Sequence, residues 1–150
     1  FGGQQSPAKV HTPLVGVDIG LRSGQQERLV LDPAFEHAVL LIDGDVTVDD
    51  QPLPAGPLLY LGPGRVSTDV RTAAGARLVL IGGAPFEHDL VMWWNFVGRS
   101  HEDIVTARED WESHHERFGT VDGHGGERIP APALPNVRLR ARRRSAGASA

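Results

Sequence analysis

The 150 residues contain no cysteine, a single methionine and a single tyrosine. Without cysteine there is no disulfide framework, no thiolate metal site and no cysteine nucleophile, and a reducing, cytoplasmic setting is expected. No apolar run approaches the roughly 20 residues needed to cross a bilayer as a helix. The N-terminal "FGGQQSPAKV" has no basic segment followed by an apolar one, so no signal peptide is read there. No G-x-S-x-G elbow surrounds Ser6, Ser23, Ser67 or Ser100. "GPGR" at 62–65 is no phosphate loop, because no Lys-Ser/Thr follows it.

What is present is an ordinary globular balance, 40% hydrophobic and 23% charged, which argues against wholesale disorder and for one domain with a real core. The net charge of −4 is uneven. Arg138, Arg140, Arg142, Arg143 and Arg144 crowd the C-terminus, and without them the body stands near −9. An acidic body repels phosphate backbones, so nucleic acid is an unexpected partner despite the arginine-rich tail.

Short apolar runs broken by Gly, Pro and Asp fill residues 13–85: 13–21, 28–31, 37–48, 57–62 and 76–83 read as strands. Strands at this spacing, without intervening helices, indicate an antiparallel barrel or sandwich. Ser100 and Asp103 form the ends of a capping-box pattern, and Ile104, Ala107 and Trp111 recur at three- and four-residue spacing. A helix is therefore expected over 100–119, stopped by Gly119. Residues 120–150, rich in Gly, Pro and Arg, are expected as a flexible tail, and 1–12 as an N-terminal linker.

Seven histidines and nineteen carboxylates invite a metal reading. The adjacent pairs Glu36–His37 and Glu87–His88 cannot chelate one ion alone, because neighbouring strand residues point to opposite faces. His114 and His115 lack the spacing for a shared ion on a helix. The weak candidates are His37, Glu36 and His88, with Asp69 as a further possibility.

"ARLVLIGGAPFEHDLVMWWNFVGRSHEDIVTAREDW" resembles the signature region of pirin family proteins near the end of their C-terminal domain. The match extends in order over about residues 7–118. The fold this implies is a mainly β, cupin-type antiparallel β-barrel or jelly roll over residues 13–99, with a C-terminal α-helix. Pirins are bicupins with one iron in the N-terminal barrel, so the resemblance implies the half without the metal. Setting the general cupin pattern on Gly44 places Leu31 and Pro33 at the paired-His positions and His37 at the Glu position; Ser67 falls near the last His. One of four can ligate, so no metal or other cofactor is expected in this barrel.

Three functions follow as expectations. The first is a non-catalytic structural and interaction module, regulatory in role, partnered by another cupin barrel or by a second copy. The second is part of a metal-dependent quercetin 2,3-dioxygenase, with catalysis in an N-terminal cupin outside this chain and no catalytic residue within it. The third is a small-ligand barrel lined by Val39, Leu41, Leu59, Leu61 and Val79, whose plainer reading is a packed core. In "VMWWNFVG", Val91, Trp93 and Phe96 are expected to seal the barrel while Trp94 turns the other way, with Asn95 in the turn. Trp94, Phe96 and Trp111 are the interface candidates.

Overall fold

The computed structural model describes residues 2–3 and 5–141, which fall into two compact units, one up to Pro85 and one from Phe86 on. Among the described residues no helix is long and apolar enough to cross a membrane.

The first unit is a barrel of two antiparallel four-stranded sheets. One has the order β1 (Leu14–Leu21), β8 (Ala76–Gly83), β3 (Glu36–Gly44), β6 (Leu59–Tyr60). The other has the order β2 (Gln26–Val30), β7 (Ser67–Arg71), β4 (Thr47–Val48), β5 (Gln51–Pro52). The register sets the layers. Val39 faces Leu80 and Leu41 faces Leu78 across β3 and β8. These four are buried with Leu29, Val48 and Val70 of the second sheet in one core. Period-2 alternation is therefore satisfied on both walls of the barrel. Val79, expected in the lining, lies on the opposite row of β8 from Leu78 and Leu80 and is only half-buried; the inward residues of that strand are the two leucines. Leu59 is half-buried and packs on the core.

Three departures from the sequence reading have local causes. The run 37–48 is two strands, since Gly44 leaves β3 at φ 85 and a Cβ there would collide with the Gly75 backbone. "DDQP", expected as turn, is a two-residue hairpin loop plus β5. Asp49 and Asp50 take left-handed φ of 48° and 64°, and Pro52 sits on the sheet edge where its missing N–H costs nothing. Ser67–Arg71 is a strand that its polar composition concealed, with Thr68 and Val70 turned inward.

The second unit begins with a hairpin of β9 (Val91–Trp93) and β10 (Phe96–Gly98), pairing Phe96 with Trp93. Helix α1 (His101–Glu112) follows. Its capping box is complete. Ser100 Oγ accepts from Asp103 N at 3.1 Å, and Asp103 Oδ2 accepts from Ser100 N at 3.1 Å. The helix stops at Ser113, and a single 3-10 turn over Glu116–Phe118 carries the chain to Gly119. Val91, Phe96, Ile104, Ala107 and Ala131 form the buried core of this unit. Val91 and Phe96, expected to close the barrel, thus bury against the helix.

Residues 120–141 form neither helix nor strand, and residues 129–141 are laid along α1 in the opposite direction. Trp111 Nε1 donates to Ile129 O at 2.9 Å, Arg108 Nε to Pro132 O at 2.7 Å, and Leu139 N to His101 Nδ1 at 3.1 Å. Arg138 pairs with Glu102, so one tail arginine is engaged within the chain. Arg142, Arg143 and Arg144 lie outside the described residues.

Candidate functional site

The cupin pattern directs attention to the end of the barrel where β3 begins. His37, the second residue of β3, continues the inward row of Val39 and Leu41. It is 2% exposed. Its cross-strand partner is Gly82, where a side chain would force a neighbour to move: a Cβ there would stand 2.6 Å from His37 Cδ2. The imidazole occupies the space that the glycine leaves. Phe35 lies beside it, ring centroids 6.0 Å apart. Burial lowers the His37 pKa from its ordinary value, while the Asp32 charge and the Phe35 backbone oppose that shift. A neutral ring follows at physiological pH. No hydrogen bond of normal geometry reaches His37 Nδ1, although the Phe35 backbone lies close enough to the ring to oppose the burial shift.

The other candidate ligands point elsewhere. Glu36 falls on the outer row of β3 and accepts from the Tyr60 hydroxyl at 3.0 Å. Asp69 holds Arg28 through two bonds of 2.8 Å, and that pairing lowers its pKa. His88 is exposed and belongs to the second unit. Leu31 is buried, Pro33 is exposed, and Ser67 is half-buried. One residue past Ser67, Thr68 turns inward, 2% exposed, with its Oγ1 unpartnered. Sequence reasoning missed Thr68. The alternation of Thr68, Val70 and Thr72, all buried, is the signal that could have found it.

One imidazole and one hydroxyl do not make a site for iron or any comparable ion, which needs three or more N, O or S donors converging. Among the described residues no group of three or more His, Asp or Glu side chains is placed to hold a metal. The residues do not fit the metal that the cupin pattern implies.

The interface candidates meet one another in the second unit. Trp94 stands edge-on to Phe96, centroids 5.1 Å apart, and to Trp111 at 5.8 Å. Trp94 therefore does not turn away from Phe96; it folds back over it. Phe96 is 6% exposed, and Trp94 and Trp111 are half-buried. The Arg128 guanidinium lies 3.9 Å above the Trp111 ring, a cation–π pairing that covers its free face. The exposed apolar residues of the hairpin are Met92 and Val97, a cross-strand pair at 72% and 57% exposure.

Comparison with known proteins places these features in a lineage. The profile of the Pirin C-terminal cupin domain matches residues 16–119. A Pseudomonas aeruginosa protein, provisionally named quercetin 2,3-dioxygenase PA1205, is 39% identical over 135 residues, covering 90% of this chain and 43% of that protein. A pirin-like protein of Caulobacter vibrioides is 28% identical over 130 residues, covering 87% of this chain and 43% of its own. Among solved structures, a quercetin 2,3-dioxygenase from Acinetobacter baumannii superposes with a TM-score of 0.77 at 40% identity, covering 91% of this chain and 45% of that one. The chain spans less than half the length of these relatives.

Proposed function

The chain belongs to the pirin family, matching the C-terminal cupin domain of its members, and from that premise we propose that it is a non-catalytic structural and protein-interaction module without a metal of its own. One observation carries this reading: where a cupin centre needs converging ligands, the barrel presents Leu31, His37 and Thr68, with Glu36 turned outward. Catalysis through a bound metal needs an ion to bind and activate the substrate, and this set cannot hold one.

The partner we favour is another cupin barrel, with a second copy of the chain as the variant of the same idea. The outer face of the β1-β8-β3-β6 sheet supports it, because Leu14, Ile42, Tyr60 and Ile81 are 53%, 47%, 57% and 44% exposed there. Apolar faces of this kind mark interaction surfaces. A regulatory role and a cytoplasmic setting belong to the same proposal. The acidic body favours a protein partner over nucleic acid.

The names of the relatives favour one second reading, in which the chain serves as the supporting half of a quercetin 2,3-dioxygenase whose metal centre lies in a separate barrel. Metal analysis tests what both readings share. After incubation with ferrous iron or nickel and desalting, far less than one ion per chain is expected; near-stoichiometric retention, abolished by His37→Ala, overturns it. Flavonol consumption on addition of a metal-loaded pirin N-terminal barrel, and not by that barrel alone, selects the second reading. Light scattering tests the partner: association that Ile81→Lys weakens at least tenfold is expected, and a monomer indifferent to other barrels refutes it.

A further inference from the structure

Two buried side-chain atoms in the barrel, His37 Nδ1 and Thr68 Oγ1, have no hydrogen-bond partner. Buried polar groups are normally paired, so two unmet ones at one end of a barrel point to an occupant. They lie at the same end. His37 is the second residue of β3 and Thr68 the second of β7, both on inward rows. The turns that lead into these two strands are tied together. Leu31 N donates to Val66 O at 2.9 Å, Leu61 N to His37 O at 2.9 Å, and Gly64 N to Pro33 O at 2.8 Å.

We infer that this end of the barrel binds a hydroxyl oxygen, carried by a small uncharged molecule of which ordered water is the smallest. The chemistry of the lining selects that class. A hydroxyl can donate to a neutral imidazole nitrogen and accept from a threonine hydroxyl in one placement. An anion would find no free cation there, since Arg28 is held by Asp69 and Arg65 by Asp49 and the Leu61 carbonyl. A cation would find no inward carboxylate, because Glu36 and Asp69 are turned outward to Tyr60 and Arg28, and Asp32, whose charge reaches His37, is exposed and accepts from Ala34 N. Leu31 and Leu61, both buried, supply apolar walls. Glycine at position 82 leaves the room in which the imidazole is held. This site is independent of the interaction role proposed above, because it lies on the inner rows and not on the outer sheet face.

The test uses the full chain with phenol and toluene, which share a shape and differ by the hydroxyl. Phenol is expected to raise the thermal midpoint by about 3 °C near saturation and toluene to leave it unchanged. Thr68→Val should abolish the phenol shift and Thr68→Ser, which keeps the hydroxyl, should retain it. If phenol has no effect, a long-lived water cross-peak to the Thr68 methyl in NMR, lost in His37→Phe, identifies water as the occupant. Equal stabilisation by toluene, a phenol shift that survives Thr68→Val, or the absence of both a phenol shift and a water cross-peak overturns the inference.

Discussion

At the scale of single residues, His37 sets a pH dependence that can be separated from the rest of the chain. Its folded pKa is lowered from 6.5 by burial. On acidification below that value the unfolded imidazole takes up a proton before the folded one does. Stability from this group is therefore full above about pH 6.5 and falls as the pH drops beneath it. The carboxylates Asp18, Asp69 and Asp103, each lowered from 3.8 by hydrogen bonds to arginine or to backbone amides, lose their contribution only at more acid pH. Thermal melts between pH 8 and pH 5 should show a decline in the wild type that is largely absent in His37→Phe; equal slopes would refute the buried, uncharged ring. Gly82 tests the same packing from the facing strand. Gly82→Ala must displace either the imidazole or the Glu36 carbonyl, which would lie 2.7 Å from the new Cβ. A loss of about 1–3 kcal/mol in denaturant unfolding is expected, and a neutral result would mean that the ring is free to move.

At the scale of elements, the helix start was the most legible feature and the strand β7 the least, and the reason is the same in both. Ser100 and Asp103 act through backbone amides three residues apart, so their spacing in the sequence is already the interaction. Ser100→Ala should cost about 1 kcal/mol in urea unfolding followed by Trp emission, while Asp103→Asn, which keeps an acceptor at that position, should cost less. β7 makes its case only in three dimensions. Thr68 and Thr72 are core residues because Val70 between them and Leu29 opposite Thr68 are core residues. A pattern read by hydropathy alone passes over them. Residues 129–141 escaped for another reason: the proline-rich segment forms no ladder, and it is held by side chains that reach its carbonyls, Trp111 to Ile129 O and Arg108 to Pro132 O. The turn at Trp94 also ran against expectation. Asn95 is the residue type suited to a left-handed backbone, yet Trp94 takes it at φ 51, an arrangement held by its edge-on packing against Phe96 and Trp111. Trp111→Phe removes the bond to Ile129 and the indole under Arg128 together. Faster amide exchange at Ala131 and Leu139 is the expected outcome, and unchanged exchange would show that the bonds to Arg108, Glu112 and His101 hold the segment without the indole.

At the scale of the whole molecule, the chain carries two cores of different character, and its chromophores separate them. The barrel core is aliphatic, centred on Val39, Val70, Leu78 and Leu80, each 0% exposed. The core of the second unit is ringed by aromatics and centred on Ile104. All three tryptophans, Trp93, Trp94 and Trp111, belong to the second unit, and the single tyrosine, Tyr60, belongs to the barrel. Emission excited at the red edge of the tryptophan band therefore reports the second unit alone, whereas far-UV circular dichroism weights the barrel strands. Leu80→Ala removes methyl groups from the closed barrel core and should cost about 2–5 kcal/mol, lowering the midpoint of the β-sheet dichroism. Ile104→Ala carries the same penalty in the other core and should lower the midpoint of the tryptophan emission. The two substitutions draw on burial of similar completeness, so similar penalties read by different probes are the signature of two cores. A dichroism midpoint that ignores Leu80→Ala would contradict the barrel register in which Leu80 meets Val39.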